Sequence, residues 1–215
     1  MNDKEEKNSK RISDATIRRL SVYYRILNVL ECNGIKMVSS NGLGAPEGIS
    51  GNKVRKDLSN FGSFGERGTG YAVSSLKMNI AKILGIDRKW NIVLVGAVQF
   101  STVLINSDIF KRRNFYITKI FDETREQIGR KINDITVSDM NNLEKEIDPY
   151  TDDLAIVAVA PPEVQSVIAR LGKLGLKGIL YFAARPINVP KDIVVRNQDI
   201  SIELGTITYH ITNNS

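Results

Sequence analysis

The chain has 215 residues, enough for two small domains, and 42% of them are hydrophobic, so a sizeable core is available. Its net charge of +6 is unevenly spread: residues 1–89 carry 16 Lys and Arg against 9 Asp and Glu, whereas residues 90–215 carry 14 against 15. That is the electrostatic pattern of a nucleic-acid-binding unit beside a neutral one. No apolar run is long enough to span a membrane. A single cysteine, Cys32, excludes an intramolecular disulfide and a zinc site built on paired cysteines.

Residues 1–12 are charged and carry no apolar signal region, so they read as a short disordered lead and the protein as cytoplasmic. A first domain is expected over 13–85. Ser13 or Asp14 can cap a helix running to about Cys32, with Ile17, Leu20, Tyr24, Leu27 and Leu30 apolar at nearly 3.6-residue spacing. Cys32 lies in that apolar context and reads as a buried structural thiol. Ser39 or Ser40 caps a second helix that should be short, because 41–46 hold two glycines and a proline and each interior glycine costs about 1 kcal/mol. Ser50 caps a third helix to about Asn60, whose apolar face is Val54, Leu58 and Phe61. Its other face presents Lys53, Arg55, Lys56, Asp57 and Ser59, all candidates for touching phosphate or base edges. Residues 61–71 read as a glycine-punctuated hairpin, a wing whose tip carries Arg67 and Gly68 into a minor groove. A fourth helix follows over 73–84. Helix, helix, helix, hairpin is the order of a winged helix-turn-helix.

After the junction at 85–89 the pattern changes to alternating strands and helices, and a second domain is expected over 86–199. Strands are expected at 92–95, 116–121, 154–159, 178–182 and 193–195, with helices over 100–110, around Leu143 and over 162–174. The all-apolar run at 154–159 is of the kind buried parallel sheets use. The fold class is therefore α/β: a winged helix-turn-helix followed by a Rossmann-like doubly wound sheet. Residues 200–215 form a closing helix with Ile202, Leu204, Ile207 and Ile211 apolar, and such a helix needs a surface to cover. His210 is the only histidine and stands in this tail, and no acid or base is placed for catalysis, so an enzyme is not expected.

Tyr23-Tyr24-Arg25, Val38-Ser39-Ser40, residues 54–71 and Leu94-Val95-Gly96 together resemble the Rex family of redox-sensing transcriptional repressors, in register from about Ile17 to His210. The resemblance implies a homodimer on a palindromic double-stranded operator, released by NADH. It also implies NAD(H) in the second domain and a closing helix that crosses to the partner subunit. A dinucleotide fingerprint is G-x-G-x-x-G between a strand and a helix. Here that segment is Gly96, Ala97, Val98, Gln99, Phe100 and Ser101, so only the first glycine is kept. Val98 is expected to project where the pyrophosphate approaches, and Ser101 to hold the helix off the strand. Val98→Gly would then strengthen NADH binding. Asp122 matches the acid that binds the adenosine ribose, and Asp199 keeps the family's acid before the last helix. Ser107, 158–161 and 181–184 depart from the family pattern. The alternative reading is a Rex-like DNA-binding protein with weakened or lost NAD(H) sensing, its Rossmann domain serving dimerisation or another ligand.

Overall fold

The computed structural model describes residues 12–65, 68–96, 98–182, 187–189 and 192–213, with the backbone alone at Gln99 and Phe100. The expectations for Arg67, Ala97, 183–184 and the lead up to residue 11 lie outside the described residues. Contacts divide the chain into two compact units, 1–88 and 89–215.

The first unit opens with α1 (Asp14–Cys32), capped by Ser13, whose hydroxyl accepts the Thr16 N–H at 3.3 Å. β1 (Met37–Val38) leads into α2 (Ser40–Gly44), capped by Ser39, and a 3-10 turn at Ala45–Glu47. The glycines that shorten α2 have a packing reason: a Cβ at Gly44 would stand 2.0 Å from the Ile49 carbonyl oxygen. α3 (Gly51–Leu58) follows under the Ser50 cap, then β2 (Tyr71–Ala72) and α4 (Val73–Leu84). Leu20, Tyr23, Leu27, Leu43, Val54, Leu58, Leu76 and Ile80 form its core. One expectation is corrected here. Cys32 is exposed, because it ends α1 five positions past Leu27, the last buried residue of that helix, and its expected neighbour Ile35 is itself exposed. Of the expected hairpin over 61–71, residues 66–67 lie outside the described residues; its last residue, Tyr71, and Ala72 pair antiparallel with Met37–Val38.

The second unit runs β3 (Trp90–Val95), α5 (Val98–Ile105), α6 (Asp108–Arg112), β4 (Phe115–Asp122), β5 (Lys131–Ile132) and β6 (Ile135–Asp139). It continues through α7 (Leu143–Glu146), β7 (Leu154–Val157), α8 (Val164–Lys173), β8 (Gly178–Tyr181), β9 (Val194–Asn197) and α9 (Ile200–Asn213). The sheet order is β5-β6-β4-β3-β7-β8-β9, parallel throughout except for the edge strand β5. Counting only the parallel strands from β3, this is 3-2-1-4-5-6, the dinucleotide-binding order. Alternation along β3 sends Val93 and Val95 to the face covered by α7 and α8, and Ile92 and Leu94 to the face covered by α5. The single helix expected over 100–110 is broken in two. Asn106 and Ser107 interrupt it, residues whose side chains compete for backbone partners. The β5–β6 hairpin was not expected. Ile132 pairs Ile135 across Asn133-Asp134, and Asn133 takes a positive φ of 51°. An Asn at a two-residue turn between alternating isoleucines is the signal that would have found it.

Candidate nucleic-acid interface and nucleotide cleft

α3 is held from beneath by one buried carboxylate. Asp57, 1% exposed, accepts from Arg19 Nε at 2.5 Å and Nη2 at 2.8 Å, and from the Tyr23 hydroxyl at 2.9 Å. Lys53 lies 3.7 Å away, one turn earlier. Burial alone would raise the Asp57 carboxyl. The hydrogen bonds from Arg19 and Tyr23 and the charges of Arg19 and Lys53 outweigh it and hold the group below its ordinary value. Burial, and then Asp57, push the Tyr23 hydroxyl up, so it remains a donor. The expectation that Asp57 touches DNA is corrected: it faces α1, because its position falls on the Val54–Leu58 side of the helix. Arg19 and Tyr23 were not singled out from sequence, and nothing in their spacing to Asp57 marks them.

On the outer face of α3, Lys53, Arg55, Lys56 and Ser59 are exposed. Arg55 donates to the Ser40 hydroxyl at 2.7 Å and to Asn52 Oδ1, so its guanidinium is braced between α2 and α3. Lys56 is exposed and makes no ion pair among the described residues. Ser59 closes the helix and donates to the Lys56 carbonyl at 2.9 Å. Gly68 is exposed in the left-handed region, with φ 86°.

In the second unit the chain leaves β3 towards β4 on one side, and β7 lies on the other, so the end of β3 is the topological switch point. Gly96 sits there with φ 79°; its N–H donates to the Phe121 carbonyl at 2.8 Å, and a Cβ would stand 2.7 Å from the Ala158 carbonyl oxygen. No other residue fits. A cleft of about 230 Å³ opens beside it, lined by Gly96, Asp122, Glu123, Thr124, Gln127 and Val159 among others. Asp122 lines this cleft while also accepting the Thr124 N–H at 2.8 Å. Glu123 is held above its ordinary value by the charge of Glu163, with burial and Asp122 adding to it. Among the described residues, no lysine or arginine lines the cleft.

Val98 corrects the steric expectation. Its side chain is 5% exposed and packs with Ile92, Leu94, Ile117, Ile120 and Ile156. It does not stand in the cleft, because the start of α5 turns its Cβ toward the sheet. Ser101 is fully buried, and its hydroxyl donates to the Val98 carbonyl, so no polar group is stranded between helix and strand. Val98→Gly is therefore expected to destabilise the second unit by about 2–3 kcal/mol, from lost burial and a glycine in the first helical turn, with no gain in NADH affinity. A lowered unfolding midpoint with an unchanged titration is the expected result; tighter NADH binding would restore the steric account.

α9 is exposed throughout, with Ile200, Ile202, Leu204, Ile207, Tyr209 and Ile211 all more than half exposed. Asp199 starts it by accepting the Ser201 N–H at 2.9 Å. At 100° per residue, Ile200, Leu204, Ile207 and Ile211 share one face, whereas Ile202 and Tyr209 lie on the opposite one. The four residues expected to form one stripe are thus divided. The sheet face carrying Leu94, Ile156 and Leu180 is also open, with an apolar groove of about 440 Å³ bordered by Leu104, Val159 and Phe182.

A helix-turn-helix unit with a braced basic helix, joined to a sheet of dinucleotide-binding order with a cleft at its switch point, defines a ligand-responsive DNA-binding regulator. Residues 11–59 match the family model "Putative DNA-binding protein N-terminus", and residues 87–185 match the CoA-binding domain. The chain is 41% identical over 201 residues to the redox-sensing transcriptional repressor Rex of Carboxydothermus hydrogenoformans, covering 94% of this chain and 97% of that one. It is 39% identical to Rex of Clostridioides difficile, covering 94% and 96%. The crystal structure of RSP in complex with β-NAD+ and operator DNA superposes with a TM-score of 0.85 at 34% identity over 94% of each chain. That of RSP with β-NADH gives 0.85 at 32%, covering 95% of this chain and 96% of that one. The chain belongs to the Rex family of redox-sensing transcriptional repressors, which are transcription factors and not enzymes.

Proposed function

We propose that this repressor acts as a cytoplasmic homodimer that binds a palindromic double-stranded operator through its α3 helices and is regulated by NAD(H). The observation that carries the reading is α3 itself, with Lys53, Arg55 and Lys56 outward and Asp57 anchoring it inward. Two such helices related by a two-fold axis enter major grooves separated by whole helical turns. Arg55, held by Ser40 and Asn52, is preorganised for bidentate contact with a guanine edge or a phosphate. Lys56 and Lys53 add phosphate contacts, Ser59 assists at the helix end, and Arg67 and Gly68 reach the minor groove. Arg55→Ala and Lys56→Ala are each expected to weaken operator binding, by about 1–3 kcal/mol where the contact is to a base. Fluorescence anisotropy on a palindromic operator checks this, and the reading fails if both variants bind as the parent does.

The dinucleotide's adenosine end is assigned to the cleft at Gly96 and Asp122, with its affinity below that of a complete three-glycine fingerprint. One feature supports the lower affinity: the cleft carries Asp122 and Glu123 with Glu163 beside them, charges that oppose a pyrophosphate. Micromolar or weaker NADH binding by calorimetry is the expected result, and submicromolar binding would overturn it.

A further inference from the structure

Asn52 is the second residue of α3 and is exposed. At 100° per residue, Asn52, Lys56 and Ser59 fall within about 60° of one another, opposite the buried Val54 and Leu58, and Arg55 flanks that line. Residues in the first turn of a recognition helix are the ones that reach base edges. The Asn52 amide is not free to turn. Arg55 donates to its Oδ1, and to the Ser40 hydroxyl at 2.7 Å. A guanidinium carries donors only, so the amide can face it with its oxygen and in no other way. The Asn52 Nδ2 is thereby turned away from Arg55, and it has no hydrogen-bond partner among the described residues. Asp57, the only carboxylate of α3, is buried, so the outer face of the helix offers no carboxylate to an amino group.

We propose that Asn52 is a specificity-determining residue of the operator contact, and that it reads a keto base, guanine or thymine, by donating Nδ2 to the base's keto oxygen in the major groove. The inference rests on the reading of α3 as the helix that enters the operator. An asparagine whose amide is free reads adenine, donating to the ring nitrogen while accepting from the exocyclic amino group. Asn52 cannot do both, because Arg55 occupies its oxygen. What remains is a donor, and the major-groove edge sorts the bases accordingly. The keto oxygens of guanine and thymine accept, whereas the amino groups of cytosine and adenine donate. An amino group set against Nδ2 would leave two donors facing each other, both desolvated and neither satisfied. Asn52 and Arg55 are neighbours at i and i+3, with Cβ atoms about 5–6 Å apart, against a rise of about 3.4 Å per base pair. The keto base therefore lies within about two base pairs of the one that Arg55 meets.

The test is selection from a duplex pool randomised over both halves of a palindrome, by the full chain and by its Asn52→Ala and Asn52→Asp variants. Affinities are then measured on the selected duplex and on copies with single guanine-to-adenine or thymine-to-cytosine changes, each of which exchanges a keto oxygen for an amino group. The parent is expected to select guanine or thymine at one position where that exchange weakens binding about fivefold or more, against less than about twofold for Asn52→Ala. Asn52→Asp keeps an oxygen for Arg55 and loses the N–H donors, so it is expected to favour adenine or cytosine there. The same cost in all three proteins at every position would overturn the inference and leave the operator reading standing, as would a parent that selects adenine at the position Asn52→Ala relaxes. A parent that selects no duplex would overturn both.

Discussion

Asp57→Ala is expected to abolish detectable operator binding and to destabilise the first unit by about 3 kcal/mol, the cost of breaking a buried ion pair from one side. The carboxylate receives two guanidinium bonds from Arg19 and one hydroxyl bond from Tyr23. Its removal leaves the Tyr23 hydroxyl, on a fully buried side chain, without that partner. α3 then loses its polar tie to α1, and the angle at which Arg55 and Lys56 face the operator is no longer set. Denaturant unfolding and a mobility shift on the same variant check both halves of the expectation; an unchanged midpoint with parental operator affinity would show that apolar packing alone seats the helix. The pH dependence has a defined sign. The Asp57 carboxyl is held below its ordinary value of 3.8 in the folded chain. It therefore contributes stability above that value and loses it as pH falls through the lowered folded value. The alanine variant should lack that part of the acid sensitivity.

Deletion of α9 from Ile200 onward is expected to convert a dimer into a monomer or an aggregate and to lower operator affinity by about 100-fold or more, the loss of linkage between two half-site contacts. The helix exposes apolar side chains on two opposite faces, and the same unit leaves an apolar groove open beside Leu94, Ile156 and Leu180. Among the described residues, each copy thus carries both an apolar helix left exposed and an apolar groove left open. A closed two-fold exchange would satisfy both without an open-ended chain of contacts. Because the faces are distinct, Ile202→Ser and Ile207→Ser test them separately, and both are expected to weaken the dimer. Light scattering on the truncated chain decides the point: an unaltered dimer would place the main interface elsewhere.

The parts of this protein that were legible in the sequence are those whose physics is local. Ser13 or Asp14, Ser39 or Ser40, and Ser50 announced three helix starts, and the structure puts the caps at Ser13, Ser39 and Ser50, each hydroxyl accepting the N–H three residues on. The central parallel strands β3 and β7 showed as apolar runs because both of their faces are buried, whereas the parallel strand β6 did not show. The basic outer face of α3 needed only helical periodicity, and Gly96 only its place after a strand. Family resemblance then supplied what spacing could not, the operator and the nucleotide.

Two things depended on the tertiary structure, because each turns on where a side chain points relative to residues distant in sequence. Asp57 reads as a surface acid on a basic helix, and only the packing of α1 across α3 brings Arg19 to it from 38 residues away. Val98 reads as an obstacle in a glycine motif, and only the start of α5 determines that its side chain joins the core cluster of Leu94 and Ile120. Periodicity reports which face of its own element a residue occupies; what that face meets is decided by the other elements of the fold.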